Sequence, residues 1–247
     1  SDMFIEKHGA LERNSLRFLI AMLVAASMGG LFEIVPLFTI DSTIEKVEGM
    51  RPYTPLELAG RNIYIREGCY ACHSQMIRTL RDDIERYGHY SLAAESQYDH
   101  PMLWGSKRTG PDLARVGGKY SDDWHREHLI APRDIVAGSV MPGYGFLASR
   151  SVHVEKLHLD LIALRRTGVP YTDDMIENAA KDALAQALAD SDDSDGLIER
   201  YGEKVNIRTF DGNPGTVTEM DALIAYLQML GTLVDLKDFQ ASGNNLR

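Results

Sequence analysis

The ten residues EGCYACHSQM, at positions 67–76, decide the fold of this chain because they hold its only two cysteines. Cys69 and Cys72 are separated by two residues, and His73 follows at once. Three kinds of site use such a pair: a zinc site, a redox-active dithiol and the covalent attachment site of a haem c. The rest of the sequence discriminates between them.

A zinc site normally takes four protein ligands, but the chain has no second cysteine pair, and only His153 and His158 lie downstream near a suitable spacing. A redox dithiol follows a strand of a parallel sheet, and no such pattern surrounds residues 60–80. Haem c attachment consumes both thiols as thioethers, and the adjacent histidine becomes an axial iron ligand. We therefore predict one haem c, bound covalently at Cys69 and Cys72, with His73 as a ligand.

Composition limits the partners and the compartment. The net charge at pH 7 is −10 and there is no basic stripe, so nucleic acid is not an expected partner. Cysteines used for haem attachment, with no disulfide framework, indicate a compartment outside the bacterial inner membrane. Because the first ~50 residues do not look globular, about 200 remain for a core, enough for one domain with insertions.

Residues 16–40, LRFLIAMLVAASMGGLFEIVPLFTI, are apolar enough to cross a membrane. As a helix they would extend about 37 Å. We expect an uncleaved anchor in the inner membrane, with residues 1–15 in the cytoplasm, residues 41–53 as a linker and the remainder in the periplasm. A cleavable signal peptide is the alternative, because cationic residues precede the run and Ala25-Ala26-Ser27 is a plausible cleavage site.

Glu33 is the one carboxylate inside this apolar run. An ionised group at the bilayer centre costs ~2.5–3.5 kcal/mol on insertion scales, and less near the interface. Glu33 is therefore expected to face a neighbouring subunit that supplies a hydrogen bond or a positive charge. The alternative is that the hydrocarbon segment ends near Phe32 and leaves Glu33 among the headgroups.

Two segments in the remainder carry helix start signals. Residues 54–68, TPLELAGRNIYIREG, begin with a capping box of Thr54 and Glu57. Residues 216–231, TVTEMDALIAYLQMLG, repeat this pattern with Thr216 and Glu219, followed by apolar residues at helical spacing. One helix before the haem motif and one at the end of the domain is the arrangement of a small c-type cytochrome.

The terminal helices of such a cytochrome cross, and Gly60 would allow Tyr226 to approach closely. The predicted fold is therefore mainly α: a single N-terminal transmembrane helix plus a class I-like cytochrome c domain over residues 54–235. Insertions are expected at about 77–104 and 150–215.

The haem iron needs a sixth ligand, and Met141 is the best candidate among ten methionines. It lies in AGSVMPGYG, a Gly- and Pro-rich segment that cannot be regular helix, where a methionine has no core to fill. A thioether ligand favours ferrous iron and raises the reduction potential. A bis-histidine site remains the alternative, with His100, His125 and His128 as candidates.

The loop KRTGPDLARVGGKY, residues 107–120, contributes further candidates for the haem environment. A ligating histidine usually donates its second N–H to an acceptor, and a backbone carbonyl near Pro111 is suitable. Bidentate guanidinium groups suit the two haem propionates, and the candidates are Arg108, Arg115 and Arg133.

An acidic stretch lies in the second insertion. Residues 171–203 hold ten acids and two bases, and the pattern is helical over Asp173–Ala189. Such runs are usually solvated helix faces, and a docking surface for a cationic partner is the alternative. The acidic residues 190–195 and the tail at 236–247 match no motif.

Four motifs together carry a family resemblance: CYACHSQM from residue 69, Trp104-Gly105, KRTGPDL from residue 107 and SVMP from residue 139. With the anchor they resemble the membrane-anchored monohaem cytochrome c subunit, subunit II, of cbb3-type cytochrome c oxidases. The likeness runs nearly end to end and includes the segments LRRTGVPYTDDMI and ALIAYLQMLGT.

The resemblance implies a function. The subunit relays electrons through one haem c, from a dihaem cytochrome c subunit or a soluble cytochrome, to a catalytic subunit with haem b and a haem–copper pair. That subunit reduces oxygen to water and pumps protons, so the chain is part of an oxidoreductase without reducing oxygen alone. Matching positions imply Cys69 and Cys72 as attachment points, with His73 and Met141 as axial ligands.

Three other functions fit an anchored monohaem domain. The first is the cytochrome c subunit of a nitric oxide reductase, which would lack the 150–215 block. The second is a free, membrane-tethered electron carrier. The third is a structural subunit whose haem serves mainly folding.

Overall fold

The computed structural model of the chain describes residues 8–40, 44–188 and 193–236. It consists of two units, Ser1–Glu45 and Lys46–Arg247. Within the described residues the regular structure is helical, apart from one isolated β-bridge between Ser151 and Thr218. The predicted mainly α fold is confirmed. Parts of four predicted segments lie outside the described residues, namely positions 1–7, 41–43, 189–192 and 237–247.

The first unit holds helix α1, Ser15–Leu37. The Asn14 side chain caps its start by accepting a hydrogen bond from the Arg17 N–H at 3.1 Å. The helix has 23 residues, a mean hydropathy of 2.1 and no buried residue, so it is long and apolar enough to cross a membrane. It ends at Leu37, one residue after Pro36 and three residues before the predicted limit at Ile40.

The second unit contains the remaining helices. In chain order these are α2 (Pro55–Arg66), α3 (Arg81–Tyr87), α4 (Asp122–Ile130), α5 (Pro132–Ile135), α6 (Leu157–Arg166), α7 (Asp173–Glu177), α8 (Ala179–Ala187), α9 (Ser194–Tyr201) and α10 (Glu219–Met229). Short 3₁₀ turns lie at Cys69–Ala71, Ala93–Ser96, Gly145–Ser149 and Val154–Lys156.

Helices α2 and α10 pack against each other at Gly60. A Cβ atom placed on Gly60 would lie 2.6 Å from the carbonyl carbon of Ala222 and 2.8 Å from Cβ of Tyr226. Only a glycine therefore permits this approach, as the sequence predicted. The tilted rings of Tyr64 and Tyr226, 5.6 Å apart, lie in the same contact.

The start of α2 was predicted correctly and that of α10 was not. Thr54 and Glu57 form the capping box of α2. In α10 the box is formed by Thr218 and Asp221, two residues later than predicted. Thr216 is exposed, whereas Thr218 is buried and bridges the carboxylates of Asp211 and Asp221. Burial, which the local pattern does not encode, selects the later threonine.

The first insertion, residues 77–104, is fastened to α2 by a buried arginine. Arg61 is 1% exposed and its Nε lies 3.2 Å from Oδ1 of Asp99. Its guanidinium also donates to the carbonyls of His100 and Pro101. Tyr53 donates its hydroxyl to Asp99 at 2.6 Å. Tyr53 is itself buried, so the packed unit begins before residue 54, inside the predicted linker.

The second insertion, residues 150–215, supplies α6–α9 and shares one core with the terminal helices. Leu161 of α6, Ala183 of α8, Leu56 of α2 and Leu223 of α10 belong to the same apolar cluster and are at most 2% exposed. The helix predicted over Asp173–Ala189 is two helices, and Ala189 lies outside the described residues.

The break falls at Asn178, whose side-chain amide donates to the backbone and the carboxylate of Asp174, both at 2.9 Å. Several acids of the stretch 171–203 are paired within the insertion. The ion pairs are Arg165–Asp173, Lys181–Asp193, Arg200–Asp174 and Arg200–Asp182. Local pairing lowers the charge that this stretch presents, and its role as a docking surface stays untested.

Candidate haem c site

The cysteine motif forms one tight turn directly after α2. Gly68 has a φ of +71°, the left-handed region that favours glycine, and this reverses the chain beyond the helix. The N–H groups of Cys72 and His73 both donate to the carbonyl of Cys69, at 3.2 and 2.9 Å. The turn therefore holds the two thiols and the imidazole together in one short segment.

The imidazole of His73 is oriented by the loop that follows the first insertion. Its Nδ1 lies 2.8 Å from the carbonyl oxygen of Pro111, and because a carbonyl only accepts, Nδ1 carries the proton. The Gly110 N–H donates to the carbonyl of Cys72 at 2.9 Å. A Cβ atom on Gly110 would lie 2.7 Å from Nδ1 of His73, so this glycine lets the backbone lie against the ring. Nε2 is left with a free lone pair for a metal.

The state of the thiols bears on the two alternatives for the motif. Cys69 and Cys72 are both free, and burial raises the pKa of the Cys69 thiol to about 11. The activated cysteine of a redox dithiol has a lowered pKa instead. Across residues 8–40, 44–188 and 193–236, no three His, Cys, Asp or Glu side chains form a group that could hold a metal ion. The geometry thus gives no support to a redox dithiol or to a zinc site.

Met141 lies in the irregular segment that follows α5, as its sequence context predicted. Its side chain is half-buried and packs against the main apolar cluster, and its N–H donates to Oγ of Ser139 at 3.2 Å. The segment is fixed to the end of α4, because the Tyr144 N–H donates to the carbonyl of Leu129 at 2.6 Å. A Cβ on Gly143 would lie 2.7 Å from the carbonyl oxygen of Ile130, so α4 and the methionine loop are in close contact.

Two histidines of α4 carry buried ring nitrogens that have no hydrogen-bond partner among the described residues, namely Nε2 of His125 and Nδ1 of His128. Burial lowers the pKa of His125 to about 4. Burial and then the charge of His73 lower the pKa of His128. Buried polar atoms normally have partners, so these orphaned nitrogens mark places where a polar group of a bound molecule fits. The two thiols and the imidazole of the Cys69–His73 turn, with Nδ1 of His73 already bonded to Pro111, suit a haem c.

The comparison with protein families decides the identity. A family model described as cytochrome c oxidase, mono-haem subunit/FixO, matches residues 8–234. The chain belongs to the FixO family. No curated protein matches the sequence. FixO membership confirms the resemblance to the monohaem subunit of a cbb3-type cytochrome c oxidase and favours that complex over a nitric oxide reductase or a free carrier.

Two of the three arginines that were candidates for binding the haem propionates form ion pairs with carboxylates of the protein. Arg108 pairs with Asp83 at 2.8 Å and donates to Oγ of Ser74 at 2.7 Å. Arg115 forms a bidentate pair with Glu95 at 2.7 and 2.9 Å. Arg133 is exposed and donates to the carbonyl of Ser139, two residues from Met141. A propionate contact stays a prediction, and Arg133 has the fewest competing partners of the three.

Asp112 is a residue that the sequence analysis missed. It is buried, and its carboxylate accepts hydrogen bonds from the Ser74 hydroxyl at 2.5 Å, the Met76 N–H at 3.0 Å and the Ala114 N–H at 2.8 Å. Asp112 therefore joins the segment after His73 to the loop that carries Pro111. Its place directly after Gly110-Pro111, in a motif already singled out, was the available signal.

Proposed function

We propose that this FixO chain holds one haem c and relays electrons to the catalytic subunit of a cbb3-type oxidase. The observation that carries the proposal is the pairing of the Cys69–Cys72 turn with an imidazole whose Nδ1 is already bonded to Pro111. A cysteine pair alone serves several chemistries, whereas a histidine beside it that is oriented by its Nδ1 suits a haem iron.

The residues of the chain have distinct roles in this proposal. Cys69 and Cys72 would hold the group covalently, and Nε2 of His73 and the thioether of Met141 would ligate its iron. When bound, the haem supplies a reversible one-electron couple. The Pro111 carbonyl fixes the tautomer and the ring orientation of His73, and a Met141 ligand would favour the ferrous state. The backbone of Gly110 and Pro111 lies against the His73 ring and would hold it in place beside the haem.

The wider assignment follows from family membership and the apolar helix. We assign α1 as a single-pass anchor in the bacterial inner membrane, with the cytochrome unit in the periplasm. The catalytic subunit, with haem b and copper, receives the electrons, reduces oxygen and pumps protons. A dihaem cytochrome c subunit or a soluble cytochrome supplies them, and membrane lipid surrounds α1.

Mass analysis of the denatured chain tests the haem assignment. We expect one haem per chain to survive extraction with acid acetone, and none in a variant that carries both Cys69→Ser and Cys72→Ser. Tyr70→Phe, which changes an exposed side chain inside the motif, is the control that should keep the haem. Release of the haem from the unchanged chain by acid acetone would disprove covalent attachment.

A truncated chain tests the anchor. Removal of residues 1–40, with a separate export signal supplied, should yield a water-soluble unit that still carries haem. Retention of this shortened chain in the membrane fraction without partner subunits would contradict a single N-terminal anchor.

A further inference from the structure

Three aromatic rings stack along one side of α4 and the residue before its cap. Tyr120 and Trp124 have ring centroids 4.0 Å apart with planes at 14°. Trp124 and His128 have centroids 4.7 Å apart with planes at 7°. The residues are four positions apart, so one face of the helix aligns them. Tyr120 is 37% exposed, which places the outer end of this stack at the surface.

The inner end of the stack lies beside the candidate haem site. Nδ1 of His128 is buried and lacks a protein partner among the described residues. The next two residues, Leu129 and Ile130, contact the loop that carries Met141. His128 therefore lies at the end of α4 that packs against the segment with one of the proposed axial ligands.

We propose that the stack of Tyr120, Trp124 and His128 is the route by which a docked carrier protein passes electrons to the haem c. The proposal rests on the function proposed above. Electron tunnelling weakens steeply across saturated or empty gaps, and parallel rings in contact shorten these gaps from the surface to the haem. One electron leaves the reduced metal centre of the carrier and reaches the haem iron. The rings stay closed-shell, no bond is made or broken, and no proton moves.

The charge of the chain indicates which kind of carrier protein would dock beside the stack. The net charge of −10 favours a partner with a cationic rim around its redox centre, because complementary fields steer association. Beside the stack, the carboxylates of Asp123 and Glu127 are 79% and 64% exposed. Arg126 pairs with them at 3.4 and 3.9 Å, and because these side chains are exposed to solvent the pairs are weak and screened. The Nζ of Lys119 lies 5.5 Å from the centroid of the Tyr120 ring in a cation–π contact, so the two exposed carboxylates, and not the Tyr120 face, would meet the cationic rim.

Stopped-flow reduction of the full-length, haem-loaded chain in detergent tests the route. The probe is a pre-reduced soluble cytochrome c with a lysine-rich haem edge. Trp124→Leu should lower the first-order reduction rate at saturating probe severalfold and leave the midpoint potential unchanged. Trp124→Phe, which keeps a ring in the stack, should restore most of the rate. Tyr120→Leu should raise the probe concentration needed for half-saturation, because it removes the exposed aromatic contact.

Trp104→Leu is the matched control. Trp104 is the other tryptophan of the chain, is 43% exposed, and donates its ring N–H to Oγ of Ser96. Its replacement should leave rate and potential unchanged. Added salt should slow reduction by the cationic probe.

Three outcomes would overturn the route. The first is a wild-type rate in Trp124→Leu, the second is a shifted potential that explains the slower rate, and the third is faster reduction at high salt. A chain without covalent haem would instead refute the proposed function, and mass analysis of each variant before the kinetics separates these results.

Discussion

Replacement of Gly60 by alanine is the sharpest test of the helix crossing that frames the site. The new Cβ would lie 2.6 Å from the carbonyl carbon of Ala222 and 2.8 Å from Cβ of Tyr226, and closer still to the Ala222 oxygen. Neither atom can rotate away, so α2 and α10 must separate by about 1 Å. A gap of this size removes about a quarter to a half of the attractive energy of each van der Waals contact between the two helices.

The expected cost follows from this separation. Overpacking of a tight core costs typically about 1–3 kcal/mol, and a clash with backbone belongs at the upper end. Alanine has a higher helix propensity than glycine, and this offsets the cost by up to ~1 kcal/mol. We expect Gly60→Ala to lower the free energy of unfolding by about 2–3 kcal/mol. For a domain of this size that corresponds to a fall in Tm of about 4–12 °C.

Gly196→Ala is the matched control, because Gly196 is also inside a helix. Its new Cβ would meet only the end of the Arg200 guanidinium, at 3.1 Å, which needs to shift by only a few tenths of an ångström while it keeps its pair with Asp182. The control should therefore change the free energy of unfolding by less than about 1 kcal/mol. Fluorescence of Trp104 and Trp124, both in the second unit, reports thermal unfolding of the full-length protein in detergent. An unchanged or higher Tm for Gly60→Ala would refute the close crossing.

Three further predictions concern single side chains. Burial raises the pKa of Asp221 from 3.8 to about 6, so the folded state is favoured when this carboxyl is protonated, and that stabilisation is lost as pH rises from about 4 to 6. Asp221→Asn should therefore flatten the dependence on pH, between pH 4 and 6, of the free energy of unfolding measured in urea. An unchanged slope in that range would contradict the prediction. Met141→His should keep the haem and lower its midpoint potential, measured by redox titration, because imidazole favours ferric iron; an unchanged potential points to another ligand. Glu33→Leu should weaken co-purification with the catalytic subunit while Glu33→Gln largely preserves it, and equal yields for both would exclude docking by Glu33.

Local sequence was sufficient where a feature depends on neighbouring residues. The capping box of Thr54 and Glu57, the turn at Gly68 and the length of α1 follow from short patterns. The contact of His73 with the Pro111 carbonyl was also anticipated, because a ligating histidine needs an acceptor and the Gly-Pro loop offers one. Such features need no knowledge of the rest of the fold.

Sequence was insufficient where distant residues compete for the same group. Arg108 was a reasonable candidate for a propionate partner from its local sequence, but in the fold it pairs with Asp83, which lies 25 positions away in the chain. Thr216 and Thr218 each have an acid three residues later, and only the burial of Thr218 decides between them. The spacing of four between Tyr120, Trp124 and His128 is visible in the sequence, but the side of the unit on which this stack lies depends on how the end of α4 packs against the Met141 loop.

The second insertion has a consequence for how the protein unfolds. Gln186 of α8 makes a buried 2.5 Å hydrogen bond with Thr54 at the start of α2, and the Tyr171 hydroxyl donates to the carbonyl of Tyr53 at 2.9 Å. Elements that share a core and buried hydrogen bonds melt together. The second unit cannot be trimmed to a minimal domain by excising residues 150–215, because one side of α2 would become exposed to solvent. Heat or denaturant should unfold the inserted helices together with α2 in one cooperative transition.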